Sequence, residues 1–119
     1  MVEDDEACRR RMIKLLTRAH YVTVEAASGS DGYEFFLSNR TLVGCVVLDL
    51  IMLGTDGRTL FRMLRERAPD LPVLLTTGTP PDADGYGRLL DARSALLTKP
   101  FLANDLVEAV DRLVDRRAG

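Results

Sequence analysis

The chain has 119 residues, enough for one domain whose core removes roughly two-thirds of the unfolded surface from water. Its 46% apolar, 29% charged and 6% aromatic content is that of an ordinary globular protein and excludes a disordered or fibrous chain. With 16 basic residues against 18 acidic ones the net charge is −2, too even a balance to draw nucleic acid or an anionic membrane, and neither is expected as a partner.

The acidic opening, Glu3 to Glu6, does not read as a secretory leader, and no apolar run nears the ~20 residues of a membrane span, so a cytoplasmic protein is expected. Cys8, Met12, Leu15, Leu16 and Ala19 recur at helical spacing and predict an amphipathic helix over 6–19. Arg9, Arg10 and Arg11 are expected on its solvated face, and His20 as its C-terminal residue. Tyr21 to Val24, rich in β-branched residues, predicts a strand. Beyond Ser28-Gly29-Ser30-Asp31, Tyr33, Phe36 and Leu37 mark a second helix.

Cys45 to Leu48 is apolar without alternation, the pattern of a parallel strand covered on both faces. Thr55-Asp56-Gly57 punctuates the chain, and Leu60, Phe61 and Leu64 mark a third helix that stops before Pro69. Pro72 to Thr76 is a further buried strand. A weak helix is predicted over 82–92, where Gly85 and Gly87 each cost about 1 kcal/mol relative to alanine. Ala95 to Leu97 is a short last strand, and a final helix carries Leu106, Val107, Val110, Leu113 and Val114 to about Arg116. Cys8 and Cys45 have no framework or zinc spacing and are expected as separate reduced thiols. Alternating strands and helices with short connections predict one α/β domain, 1–119, with a parallel sheet between two helical layers.

In such a sheet, ligands bind beyond the carboxyl ends of the strands. The residues that follow the predicted strands are Glu3, Asp4 and Asp5; Asp49; Thr77 and Gly78; and Lys99 and Pro100. Carboxylates gathered at one edge repel one another unless a cation lies between them, and their hard oxygens suit Mg²⁺. A metal there would orient Asp49 as a nucleophile toward an incoming phosphoryl group. Lys99 adds a compact positive charge, Thr77 a hydroxyl donor, and Gly78 room for close approach. Taken singly, each residue reads as a cap, a turn or a surface charge. Their placement after four successive strands is what points to chemistry.

These residues resemble the receiver domains of bacterial response regulators and hybrid histidine kinases. The likeness rests on Val2-Glu3-Asp4-Asp5-Glu6, the strand ending in Asp49, Met52 with Gly57, Leu75-Thr76-Thr77-Gly78, and Lys99-Pro100-Phe101. The spacing fits too, with 28 positions from Asp49 to Thr77 and 22 from Thr77 to Lys99. The resemblance implies a flavodoxin-like, doubly wound, parallel five-stranded sheet of order 2-1-3-4-5 with helices on both faces. It implies Asp49 as phosphoacceptor, Thr77 as switch hydroxyl and Lys99 as the lysine facing phosphate and carboxylate. It also implies Mg²⁺ held by Glu3, Asp4, Asp49 and the Ile51 backbone carbonyl, with Glu3 acting through water, and a cis Lys99–Pro100 bond. The implied donor is a histidine kinase or histidine phosphotransfer protein. A downstream protein or output domain would read the signal, and a phosphorylation-dependent dimer is compatible with it.

Several positions depart from the family pattern. Leu53 follows Met52 where proline is frequent, Leu96 occupies a frequently aromatic position, and Ala92-Arg93 replaces a frequent Gly-Ala pair, so an unusual output face is expected. Of the central first strand only Met1 and Val2 remain. Loss of about four buried apolar side chains would cost roughly 6–12 kcal/mol, against a domain stability of ~5–15 kcal/mol. A start upstream of Met1 is favoured over a neighbouring molecule in the gap or a rearranged sheet. The alternative function is a degenerate receiver that binds proteins without phosphorylation. A hydrolase is disfavoured, because Ile51 stands where aspartyl-phosphate enzymes place a second acid and cannot move protons. The chain is therefore not expected to turn over repeatedly as an enzyme, and its aspartyl phosphate is expected to hydrolyse slowly.

Overall fold

In chain order the structure runs α1 (Glu6–Arg18), α2 (Gly29–Ser38), β1 (Val46–Asp49), β2 (Ile51–Met52), β3 (Thr55–Asp56), α3 (Gly57–Arg67), β4 (Val73–Thr77), β5 (Ser94–Thr98) and α4 (Ala103–Ala118). This computed structural model describes residues 1–52, 55–78 and 89–118. Most of the helix expected over 82–92 lies outside them.

β1, β4 and β5 form a parallel sheet in that order, with Asp49 opposite Thr76 and Thr77 opposite Thr98. Every residue of β1 and of β4 is buried, as their unbroken apolar runs require. Alternate side chains feed two cores. Val46, Leu48, Val73 and Leu75 pack with Phe36 of α2 and Leu60, Phe61 and Leu64 of α3. Val47 and Leu74 pack on the other face with Met12 and Leu16 of α1 and Leu106, Val110 and Leu113 of α4. Helices therefore cover both faces, and none among the described residues is long and apolar enough to cross a membrane.

The expected strand over Tyr21–Val24 does not form. The remainder of the sheet is two single bridges, in which Val2 pairs in parallel with Ala26 on one side and Leu48 on the other. This segment is paired, among the described residues, only at Ala26, one position beyond Glu25, and Val22 is left 99% exposed. Among the described residues the sheet comprises three laddered strands and these two bridges, rather than the five strands expected. A second departure is the antiparallel ribbon of β2 and β3, in which Ile51 faces Asp56 and Met52 faces Thr55.

Local chemistry sets the helix starts. The Asp5 carboxylate accepts from the Cys8 amide at 2.9 Å, the Ser28 hydroxyl from the Asp31 amide at 3.1 Å, and the Asp56 carboxylate from the Arg58 amide at 2.9 Å. α1 ends one residue earlier than expected, and His20 follows it with φ 72°, a left-handed residue of the kind that closes helices. Arg65 fixes the end of α3, donating to the Ala68 and Leu71 carbonyls and pairing with Asp91 at 2.8 Å.

Gly57 holds α3 against the chain just past β1, its amide donating to the Leu50 carbonyl at 2.9 Å. A Cβ there would lie 2.4 Å from Leu50 Cα and 2.7 Å from the Asp49 and Leu50 carbonyl oxygens, all backbone atoms that cannot swing aside. Gly57→Ala is therefore expected to destabilise the domain by about 1–3 kcal/mol in urea unfolding. Gly44→Ala, where a Cβ meets nothing within 4 Å, should stay within about 0.5 kcal/mol of the parent.

Candidate functional site

The sheet register brings four chain segments to one edge. Val2 pairs with Leu48, which sets Glu3 level with Asp49, the last residue of β1. Asp49 lies opposite Thr76, so Thr77 stands one residue further along the neighbouring strand, and Lys99 follows Thr98 at the end of β5. The Lys99 amide donates to the Thr77 carbonyl at 2.6 Å, and the Lys99–Pro100 bond is cis.

Side chains then converge. The Lys99 ammonium hydrogen-bonds Glu3 Oε1 and reaches Asp49 Oδ2 at 3.3 Å. The other oxygen of Asp49 accepts from the Ile51 amide at 3.2 Å, and Glu3 Oε2 accepts from the Asp5 amide at 3.4 Å. Glu3, Asp4 and Asp49 each offer a carboxylate oxygen within 4.8 Å of the others, with Glu3 and Asp49 buried and Asp4 half-buried. That donor set, all hard oxygens with a surplus of negative charge, fits a small divalent cation. Thr77 is fully buried on the same edge, while the Ile51 side chain is 54% exposed beside it. Leu96 is half-buried and packs into the core on the α2 and α3 side. Leu53 lies outside the described residues. Neither Cys8 nor Cys45 is in a disulfide.

One contributor differs from its sequence expectation. Arg9 is buried, not solvated: its guanidinium donates to the Glu3 carbonyl at 2.9 Å and lies 3.7 Å from Glu25. It thereby ties α1 to the acidic loop. Its position, three residues before Met12 and seven before Leu16, puts it on the buried stripe of the helix. That spacing was readable; the residue type masked it. Arg10 is exposed and pairs with Glu6 at 2.7 Å, and Arg11 lies 5.9 Å over the Phe101 ring.

The carboxyls are strongly unequal. Burial and the adjoining Glu3 push Asp49 up to about 7, only partly countered by Lys99. Burial also acts to raise Glu3, but hydrogen bonds from Asp49 and Lys99 outweigh it and hold Glu3 well below the usual range. Lys99 is desolvated yet raised, because Glu3 and Asp49 favour its charged form.

The sequence profile of the response regulator receiver domain family matches residues 1–111. Sensor kinase CckA of Brucella abortus is 32% identical over 98% of this chain, which spans 12% of that protein's length. The transcriptional regulatory protein DctD of Rhizobium meliloti is 29% identical over 98% of this chain, which spans 25% of it. Response regulator receiver protein CpdR of Brucella abortus is 30% identical over 96% of this chain and 93% of its own length. The crystal structure of a response regulator receiver protein from Sinorhizobium medicae superposes with a TM-score of 0.86 at 26% identity, covering 98% of this chain and 92% of that one.

The raised carboxyl fixes a pH dependence. A folded pKa of about 7 against an ordinary value of 3.8 means that the fold binds the extra proton between those limits. Relative to Asp49→Asn, which does not titrate there, stability in EDTA is therefore expected to rise as pH falls from 8 toward 5. Asp49→Asn should raise the melting temperature at pH 8 and flatten the slope. A wild-type melting temperature that does not gain on that of the variant over the interval would contradict the raised carboxyl.

Proposed function

The chain belongs to the response regulator receiver domain family, and from that premise we propose that it accepts a phosphoryl group on Asp49. The donor is a phosphohistidine of a histidine kinase or histidine phosphotransfer protein, and the product switches binding to a downstream protein or output domain. The carrying observation is the Asp49 carboxylate, at the open end of a parallel sheet, held between the Lys99 ammonium and two further carboxylates.

Glu3, Asp4, Asp49 and the Ile51 carbonyl would hold Mg²⁺. The ion supplies positive charge that offsets both the clustered carboxylates and the oxygens of the incoming group. Ionised Asp49 attacks phosphorus through one oxygen as the bond from phosphorus to the imidazole nitrogen breaks. The imidazole leaves with that electron pair. Lys99 stays charged throughout and faces the phosphoryl oxygens, while the Thr77 hydroxyl donates to one of them. Arg9 keeps the Glu3 backbone in place through its 2.9 Å hydrogen bond.

The chain acts on itself and is not a repeated-turnover enzyme. Two residues past Asp49 stands Ile51, whose side chain has no proton to move and cannot orient a hydrolytic water. On the same premise the full sheet order is 2-1-3-4-5, with Ala26 and Val2 marking its first two positions, and the setting is cytoplasmic.

Incubation with acetyl phosphate and Mg²⁺ is expected to add the mass of one phosphoryl group, absent from Asp49→Asn and abolished by EDTA. The adduct should persist for minutes or longer. No adduct on folded protein contradicts the assignment of Asp49, and decay within seconds contradicts the role given to Ile51.

A further inference from the structure

α1 buries three of its residues, Arg9, Met12 and Leu16. The last two pack into the core shared with α4, whereas Arg9 heads the same stripe beside the acidic loop. Its side chain is 10% exposed, and its Nε has no hydrogen-bond partner among the described residues, the Glu25 carboxylate lying 3.7 Å away. An apolar side chain there would escape that desolvation, so stability alone does not account for a guanidinium at this place.

Backbone pairing shows what the guanidinium adds. The Val2 amide donates to the Val47 carbonyl at 2.7 Å, the Asp49 amide to the Val2 carbonyl at 3.0 Å, and the Glu3 amide to the Ala26 carbonyl at 3.1 Å. The next acceptor along, the Glu3 carbonyl, takes its 2.9 Å hydrogen bond from the Arg9 side chain. That carbonyl belongs to the planar peptide unit that joins Glu3 to Asp4, so holding it orients both residues together. These two supply two of the three carboxylates whose oxygens lie within 4.8 Å of one another, and Asp49 supplies the third. One side chain thus governs both acids that come from the start of the chain.

We propose that Arg9 is a positioning residue that sets the cation affinity of the pocket, by fixing the Glu3–Asp4 peptide so that both carboxylates meet one ion. This role rests on the proposed Mg²⁺ site. Arg9 touches neither Asp49 nor the phosphoryl group and acts only through the backbone of the acidic loop. The sign of its effect separates position from charge. As a bare positive charge beside three carboxylates, Arg9 opposes a divalent cation, and its removal would tighten binding. As the clamp on the Glu3–Asp4 peptide it favours the ion, and its removal loosens binding. Glu25, paired with Arg9 from the segment before Ala26, offsets part of the opposing charge and leaves the positional effect to dominate.

Mg²⁺ titrations followed by backbone amide NMR on folded wild type, Arg9→Met, Arg9→Lys and Arg10→Met test this. Arg9→Met is expected to bind Mg²⁺ roughly 10–100-fold more weakly. Arg9→Lys keeps a charge but not the planar fork, and its affinity should fall between the two. Arg10→Met removes the same charge one residue along, from an exposed side chain paired with Glu6, and should bind as wild type does or slightly tighter. A merely structural arginine would lower the urea midpoint in EDTA and leave the Mg²⁺ affinity of the folded chain unchanged. Unchanged or tighter binding by a folded Arg9 variant would therefore overturn the role, as would equal weakening in Arg10→Met. If Arg9→Met does not fold, Arg9→Lys decides alone, with weaker binding than wild type expected. A wild type that binds no Mg²⁺ would instead remove the cation site itself, and this role with it.

Discussion

The Lys99 ammonium, shared between Glu3 and Asp49, is the interaction on which the rest of the site depends. Two buried carboxylates without a counter-charge would each forfeit hydration worth several kcal/mol, and one lysine compensates Glu3 and, in part, Asp49. These three residues come from the start of the chain, the end of β1 and the loop after β5. They can meet only if Val2 pairs with β1 and if β1, β4 and β5 hold their register. The charge cluster and the sheet therefore specify one another, and a slip of one residue in β1 would turn Asp49 toward the opposite face.

The site also straddles an uneven sheet. On one side lies a laddered half, fully buried β1 and β4 with the half-buried β5 beside them, which supplies Asp49, Thr77 and, just past β5, Lys99. On the other, single bridges at Val2 and Ala26 lead to Glu3 and Asp4. Few backbone hydrogen bonds anchor that second half, so Arg9 carries an unusual share of the burden, joining α1, the Glu3 carbonyl and Glu25. The acidic loop is thus the part of the site whose order is easiest to shift.

Much of this was legible from residue order. The apolar runs at Val46–Leu48 and Val73–Thr76 announced strands buried on both faces, and the polar residue that ends each run fell at the strand's open edge. Asp49 and Thr77 could be picked out for that reason. Strand propensity misled at Tyr21–Val24, because a strand exists only through its partner, and pairing on this side is a single bridge at Ala26. Charge misled at Arg9, where position on the helix outweighed residue type. The β2–β3 ribbon left no mark in the sequence, since two-residue strands carry no periodicity.

The most direct measurement of the central claim is a Mg²⁺ titration followed by backbone amide NMR. If acidic groups from separate segments form one cation site opposite Lys99, saturable shifts should concentrate at Glu3 to Asp5, Asp49 to Ile51, Thr77 and Lys99, and Asp49→Asn should weaken them. Small, unsaturable shifts scattered over surface acids such as Glu34, Glu66 and Glu108 would contradict it.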